Sequence, residues 1–280
     1  MNRRCVLIVV EGNHDQAFVA RVLRKLLGFS LWDQERESLE SLWQVLVPSY
    51  NPKKTKKYYT RLNMPTILNN DDLSIAIYVG EGSNLLQNLI GEDNSVLQNI
   101  SDALSNVDPE AFSGFGVILD ADKKTPDEIA KIYCDKLKKY FPSFPNQAGT
   151  VVKGSPNLGI YALPNNSGQG VLDTLLCECG EIAYPDYMQR AKDYINHFPE
   201  ISWKRFDKDK ATIAAVVSVL KPGKTNTTSI ADNEWISDNT SQQISSVKSL
   251  EDFLRDLIEI EGVRPQYNTT IRRQQETHTD

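Results

Sequence analysis

The residues best suited to chemistry are acidic, and the densest group is Asp120-Ala121-Asp122, directly after Gly116-Val117-Ile118-Leu119. The apolar, β-branched run predicts a short buried strand, closed by Lys123-Lys124-Thr125-Pro126 and followed by a helix from Asp127. Side chains alternate along a strand, so the spacing predicts that Asp120 and Asp122 point to one side and Ala121 to the other. Two carboxylates so close repel each other when both are ionised. A divalent cation relieves that repulsion, and Mg²⁺ prefers hard oxygen ligands. Acidic pairs after strands also serve as turn residues or helix caps, so this motif gains weight only from the elements around it.

Cys5 to Val10 is a continuous apolar run of the kind covered on both faces in a parallel α/β sheet. It stops at Glu11-Gly12-Asn13-His14-Asp15, after which Phe18, Val19, Val22, Leu23, Leu26 and Leu27 recur at helical spacing until Gly28. Glu11 is thereby expected at the carboxyl end of a strand, where ligands bind in open α/β sheets. Asp15 reads either as a first-turn helix acid or as a site residue. Leu73 to Val79 repeats the arrangement, meeting Gly80-Glu81-Gly82-Ser83 before a helical pattern at Leu85, Leu86, Leu89 and Ile90. Leu158 to Leu163 is a further strand, followed by the polar loop Pro164 to Gly170 and a helix opened by Val171-Leu172-Asp173. Asp173 lowers helix propensity inside an apolar stripe, so it is a local cap or another site residue.

Residues 29–72 interrupt the strand–helix rhythm. Ser38 to Val47 fits a helix or a strand, and Asn69 to Asp72 is a turn cluster. Between them lie Lys53, Lys54, Lys56, Lys57, Tyr58 and Arg61, a basic run that suits phosphate contacts and base stacking, or simply a solvated loop. Helices are expected over 95–107, 129–140, 187–198 and 208–220, then a polar stretch from Lys221 to Ser246 and a last helix from Leu250 to Ile260. The tail from Arg264 carries the composition of a disordered segment. Gly223-Lys224-Thr225 mimics a phosphate-binding loop, but Ser218 stands at its first glycine position and no strand precedes it.

A chain of 280 residues with net charge −6 can bury a sizeable core, and its charge argues against a broad basic nucleic-acid-binding face. Cys5, Cys134, Cys177 and Cys179 lack zinc-site spacing, and His14, His197 and His278 are too scattered for a histidine metal centre or a hydrolase triad. The short apolar run after two arginines is too short for the signal peptide its position would suggest, so none is expected, and no segment approaches membrane-spanning length. A cytoplasmic location, with its reducing thiol environment, is expected.

The order Glu11-Gly12 after one strand and Asp120-x-Asp122 after a later one resembles the signature of the TOPRIM domain, found in topoisomerases, primases, certain RNA maturases and OLD-family nucleases. The resemblance covers roughly residues 3–180 and extends to small stand-alone OLD-like proteins through the Gly80 to Gly82 turn, the Asn165 to Gly170 loop and Asp173. It implies an α/β, Rossmann-like fold with a mostly parallel sheet flanked by helices over 1–180 and an insertion at about 29–72. A helical C-terminal extension over 181–262 and a disordered tail over 263–280 complete the expected organisation.

In OLD-type nucleases a second acid follows the first glutamate by four residues, and Asp15 stands at that spacing from Glu11. The resemblance further implies a later acid, matched by Asp173, and an assisting lysine, for which Lys210 fits better than Lys208. It also implies Mg²⁺ or Mn²⁺ held by Asp120, Asp122 and Asp173, with Glu11 and Asp15 at a second ion or Glu11 as general acid or base. Lys210 would offset charge on the reacting phosphate. The expected activity is metal-dependent phosphodiester cleavage. The alternatives are a non-catalytic module that binds nucleic acid or a partner ATPase, and a nucleotidyl or phosphoryl transferase. Expected partners are DNA or RNA, a separate ATPase subunit and a second copy of the chain, with no membrane.

Overall fold

The computed structural model describes residues 3–34, 36–47, 64–91, 95–105 and 109–259. In chain order the strands are β1 (Arg4–Val10), β2 (Ser30–Leu31), β3 (Thr66–Asn69), β4 (Leu73–Val79), β5 (Phe112–Asp120), β6 (Thr150–Val152) and β7 (Asn157–Leu163). The helices before β6 are α1 (Asn13–Leu26), α2 (Ser41–Gln44), α3 (Leu85–Ile90), α4 (Val96–Leu104) and α5 (Pro126–Leu137). Those after β7 are α6 (Leu172–Ala183), α7 (Pro185–Asn196), α8 (Asp207–Leu220), α9 (Asn226–Asp232), α10 (Asp238–Gln243) and α11 (Ser245–Ile258).

The strands form one seven-stranded sheet in the order β2-β3-β4-β1-β5-β7-β6. β4, β1, β5 and β7 run parallel, while β2, β3 and β6 add antiparallel edges. The fold is therefore α/β with a mostly parallel sheet. β1 lies at its centre, which is why Cys5 to Val10 form an unbroken apolar run: both faces are covered. Val6, Ile8 and Val10 face a core shared with α1, α6, α8 and α11, whereas Cys5, Leu7 and Val9 face α3, α4 and α5.

The local signals that end elements are visible in the geometry. Gly28, at φ +76, follows α1 in the left-handed region. Thr125 opens α5 with a reciprocal cap: its hydroxyl accepts the Glu128 N–H at 3.3 Å, and its own N–H donates to the Glu128 carboxylate at 2.7 Å. Thr225 caps α9 by accepting the Thr228 N–H, so Gly223-Lys224-Thr225 is a helix-linking turn.

Three expectations change. The interruption at 29–72 contributes β2 and β3 to the sheet; each is too short to show period-two alternation. β6, an edge strand of three half-buried residues, also escaped the pattern. The polar stretch from Lys221 to Ser246 folds into α9 and α10, and Ile230, Trp235, Ile236 and Ile244 within it enter the same core as β1. The segment after 180 thus supplies much of one sheet cover. On that face α11 packs Leu257 and Phe253 against Gly116 and Gly159, where an added Cβ would lie 2.5 Å and 2.9 Å from their side chains. The basic run Lys53, Lys54, Lys56, Lys57, Tyr58 and Arg61 lies outside the described residues, as does the tail from 263.

Candidate functional site

Among the parallel strands, the chain moves from β1 outward to β4 and then returns to the other side of β1 for β5 and β7. The strand order therefore reverses between β1 and β5, and a crevice at such a point, beyond the carboxyl ends, is where open α/β sheets bind ligands. Val10 pairs with Ile118, so Glu11 and Asp120 leave the sheet next to this crevice.

Glu11 is held from the β4 side. Its carbonyl accepts the Gly82 N–H at 2.9 Å, and the Val10 carbonyl accepts the Gly80 N–H at 2.8 Å. A Cβ on Gly80 would come within 2.3 Å of Leu85, so glycine is required there by close approach. At Gly82 the requirement is conformational, with φ +64 following Glu81 at φ 62.

Asp120 ends β5 half-buried, and its Oδ1 accepts the Leu172 N–H at 2.7 Å, capping α6. Asp122 has left the strand: its φ is 54 and its N–H donates to the Gly170 carbonyl at 2.7 Å. The same-side alternation expected for these two acids thus gives way to a turn between them. Asp15 is 6 % exposed and its Oδ2 accepts the Gly12 N–H at 2.7 Å, so the capping role is real. Its burial next to other acids goes beyond what a cap needs.

The electrostatics show which groups the fold brings together. Burial pushes Asp120 up to about 9, and Asp15, Glu11 and Asp122 add to the rise against the Leu172 N–H. Burial likewise raises Asp15 to about 7, opposed by the Gly12 N–H and reinforced by Glu11 and Asp173. Glu11 is raised by burial and by Asp122, with Lys210 and Lys124 pulling the other way. Asp173 is raised by burial and relieved by His14 and Lys210. Glu11, Asp15, Asp120, Asp122 and Asp173 therefore share one field, with Lys210 beside it. Lys208 instead donates to Asn196 at 3.1 Å, toward α7.

The carboxylate oxygens are the hard donors that Mg²⁺ or Mn²⁺ takes, and their raised proton affinities come first from burial and then from the neighbouring acids. Among the described residues, however, no three side chains already stand as a ligand set for one ion. Asp15 and Asp120 are each occupied by a backbone N–H.

Four neighbours of the site were not singled out from the sequence: His14 and Asp209 near Asp173, and Lys124 and Tyr133 near Glu11. His14 adjoins Asp15 in sequence, but with no second histidine near it the spacing alone does not mark it. Asp209 accepts the Thr174 hydroxyl at 2.9 Å, which ties α8 to the start of α6. Tyr133 sits in the apolar stripe of α5, where helical spacing alone reads as core.

The protein is thus an α/β protein with a mostly parallel open sheet and acidic residues at its switch point. The chain belongs to the DUF3226 family, described as a protein of unknown function, whose model matches residues 6–259. A solved structure with the same fold is that of hypothetical protein PH0156 from Pyrococcus horikoshii OT3. It is 17% identical, with 91% of this chain and 95% of that chain covered at a TM-score of 0.50. No curated protein matches the sequence. Among the described residues, no helix is long and apolar enough to cross a membrane.

Proposed function

We propose that this chain is a Mg²⁺- or Mn²⁺-dependent hydrolase of nucleic-acid phosphodiester bonds, of the TOPRIM, OLD-like kind. The observation that carries the reading is the convergence of Glu11, Asp15, Asp120, Asp122 and Asp173 in one electrostatic cluster at the switch point, with the charge of Lys210 acting on Glu11 and Asp173.

Asp120, Asp122 and Asp173 are the residues that would hold the divalent ion, with Asp15 adjoining. When bound, such an ion lowers the pKa of water and offsets charge on phosphate oxygens. The remaining work falls to the chain. Glu11, with proton affinity raised by burial, is suited to exchange a proton with the attacking water. Lys210 offsets charge that builds on the phosphate. The Leu172 N–H fixes the Asp120 carboxylate, and the Gly170 carbonyl fixes the turn that carries Asp122.

Cleavage of labelled single-stranded DNA, RNA and supercoiled plasmid with Mg²⁺ or Mn²⁺ tests the reading. Wild type produces new ends; Asp120→Ala, folded as judged by circular dichroism, does not. Equal cleavage by both would refute it. A second reading, a binding module whose acidic site is completed by a partner, is favoured by one observation: the Asp15 and Asp120 carboxylates already accept backbone N–H groups. Its signature is nucleic-acid binding by metal-loaded wild type without cleavage.

A further inference from the structure

We infer that the connection between α7 and α8 forms a track for single-stranded nucleic acid at the rim of the acidic site, with Arg205 holding a phosphate and Trp203 stacking a base. The inference rests on the proposed function for its substrate class, but it concerns residues that neither the acidic motifs nor the basic run at 53–61 includes.

The track is carried by a bridge of three loops. The Arg205 guanidinium donates to the Gln169 side-chain oxygen, and the Gln169 amide donates to the Lys123 carbonyl. Lys123 directly follows Asp122, and Gln169 directly precedes Gly170, whose carbonyl receives the Asp122 N–H. Arg205 is thereby tied to the loop that bears the site acid, although it lies far along the chain. Its guanidinium also stands 5.3 Å from the centre of the Phe206 ring.

The partner of Arg205 in this bridge is a neutral amide, so the arginine's charge is not cancelled by it. Among the described residues Lys123, Lys204 and Arg205 enter no ion pair, and all three are exposed. The Asp207 carboxylate is spent on the Lys204 backbone N–H at 3.0 Å, so on a chain of net charge −6 three exposed cations outside any ion pair beside an acidic centre have a physical use. A polyanion approaching carboxylates is repelled, and cations beside them hold its backbone in place.

Aromatic residues interleave with this charge, as Trp203-Lys204-Arg205-Phe206. Trp203 and Phe206 are half-buried, whereas Trp32, Trp43 and Trp235 are 5 %, 0 % and 0 % exposed. Bases stack on such rings only when unpaired, which selects a single strand.

The test separates binding from chemistry by using the full chain in EDTA, where no cleavage occurs. Anisotropy of a short fluorescein-labelled oligothymidylate is titrated against wild type, Arg205→Ala, Lys204→Ala and Lys139→Ala, the last in the turn that follows α5. Arg205→Ala is expected to weaken binding about 10-fold near physiological salt and to reduce the salt slope by about 1. Lys139→Ala leaves both unchanged. Quenching of tryptophan emission on binding, abolished in Trp203→Phe, is the expected stacking signature. Unchanged affinity in Arg205→Ala, or duplex bound as well as single strand without quenching, would overturn the inference. Oligouridylate run in parallel distinguishes RNA from DNA as the source of the strand. Normal binding by Arg205→Ala with cleavage intact sinks the track and spares the hydrolase reading. Weakened binding with no wild-type cleavage does the reverse.

Discussion

The Asp120 carboxylate accepts the backbone N–H of Leu172 at 2.7 Å, so the acid that ends β5 also caps the helix that starts after β7. This bond joins two motifs separated by 52 positions and fixes the acid over the crevice between β1 and β5. It also makes the site's charge part of the stability of the fold.

Replacing Asp120 with Asn should separate these roles. Asparagine keeps an oxygen to accept from Leu172 but removes a carboxylate whose ionisation is opposed by burial and by Asp15 and Glu11. The metal-free variant should be more stable than wild type at pH 8, by about 2 kcal/mol or more, while losing cleavage. Urea unfolding compared with rates of product formation checks both. A destabilised variant would show that the charged form is favoured in the fold.

The same raised affinities set a pH dependence. Asp120 is pushed up to about 9 in the folded chain, above the ordinary carboxylate value near 4, so folding favours its protonated form. Its stabilising contribution is complete below the unfolded value and is lost as pH rises toward the folded one. Metal-free protein should therefore melt at lower temperature at pH 9 than at pH 5. Added Mg²⁺ should raise the melting temperature more at the alkaline end, because binding competes with protons for the same oxygens. Melting curves at several pH values, with and without Mg²⁺, measure both effects.

Glu11 and Lys210 act on the reaction in the proposed mechanism. Glu11→Gln should lower the cleavage rate by about 10³-fold, within the range for general acid–base catalysis. Lys210→Ala should lower it by about 10²-fold through lost charge stabilisation. Lys208→Ala should change it little, because that side chain is turned to Asn196. Single-turnover rates under saturating protein distinguish these effects from binding; equal losses at 208 and 210 would contradict the assignment.

The turn behind Glu11 tolerates no side chain at Gly80, where a Cβ would meet Leu85 at 2.3 Å and its backbone Cα at 2.9 Å. Gly80→Ala should cost about 2–3 kcal/mol and shift Glu11 through the paired N–H groups of Gly80 and Gly82. Gly82 faces open space, so its substitution meets only the conformational cost of positive φ. Denaturation midpoints of the two alanine variants would rank them in that order.

Leu257 reports on the unity of the fold. It is fully buried against Gly116 in a core that includes β1, so Leu257→Ala should destabilise the whole chain by about 2–5 kcal/mol. A chain truncated after residue 180 should fail to fold cooperatively, for want of α11 on the sheet. A sharp melting transition in that truncation would show that the first 180 residues stand alone.

The amino-acid sequence alone determined the parallel strands and most of their helices, because those signals are local. An apolar run such as Cys5 to Val10 has no other way to satisfy burial on both faces, and Phe18 to Leu27 can share one face only as a helix. The acids at the strand ends were legible for the same reason: Glu11 and Asp120 are the polar residues at which apolar runs stop. Tertiary structure decided the rest. Asp122 takes φ 54 because it bonds across to Gly170, not because of its neighbours in the chain. Trp235 turns a polar stretch into core because α6, α7 and the α9 region leave space for its ring. Arg205 is tied to the loop after β7 through Gln169, 36 positions away. Contacts of that span depend on how the sheet and helices have packed, and no periodicity in the chain records them.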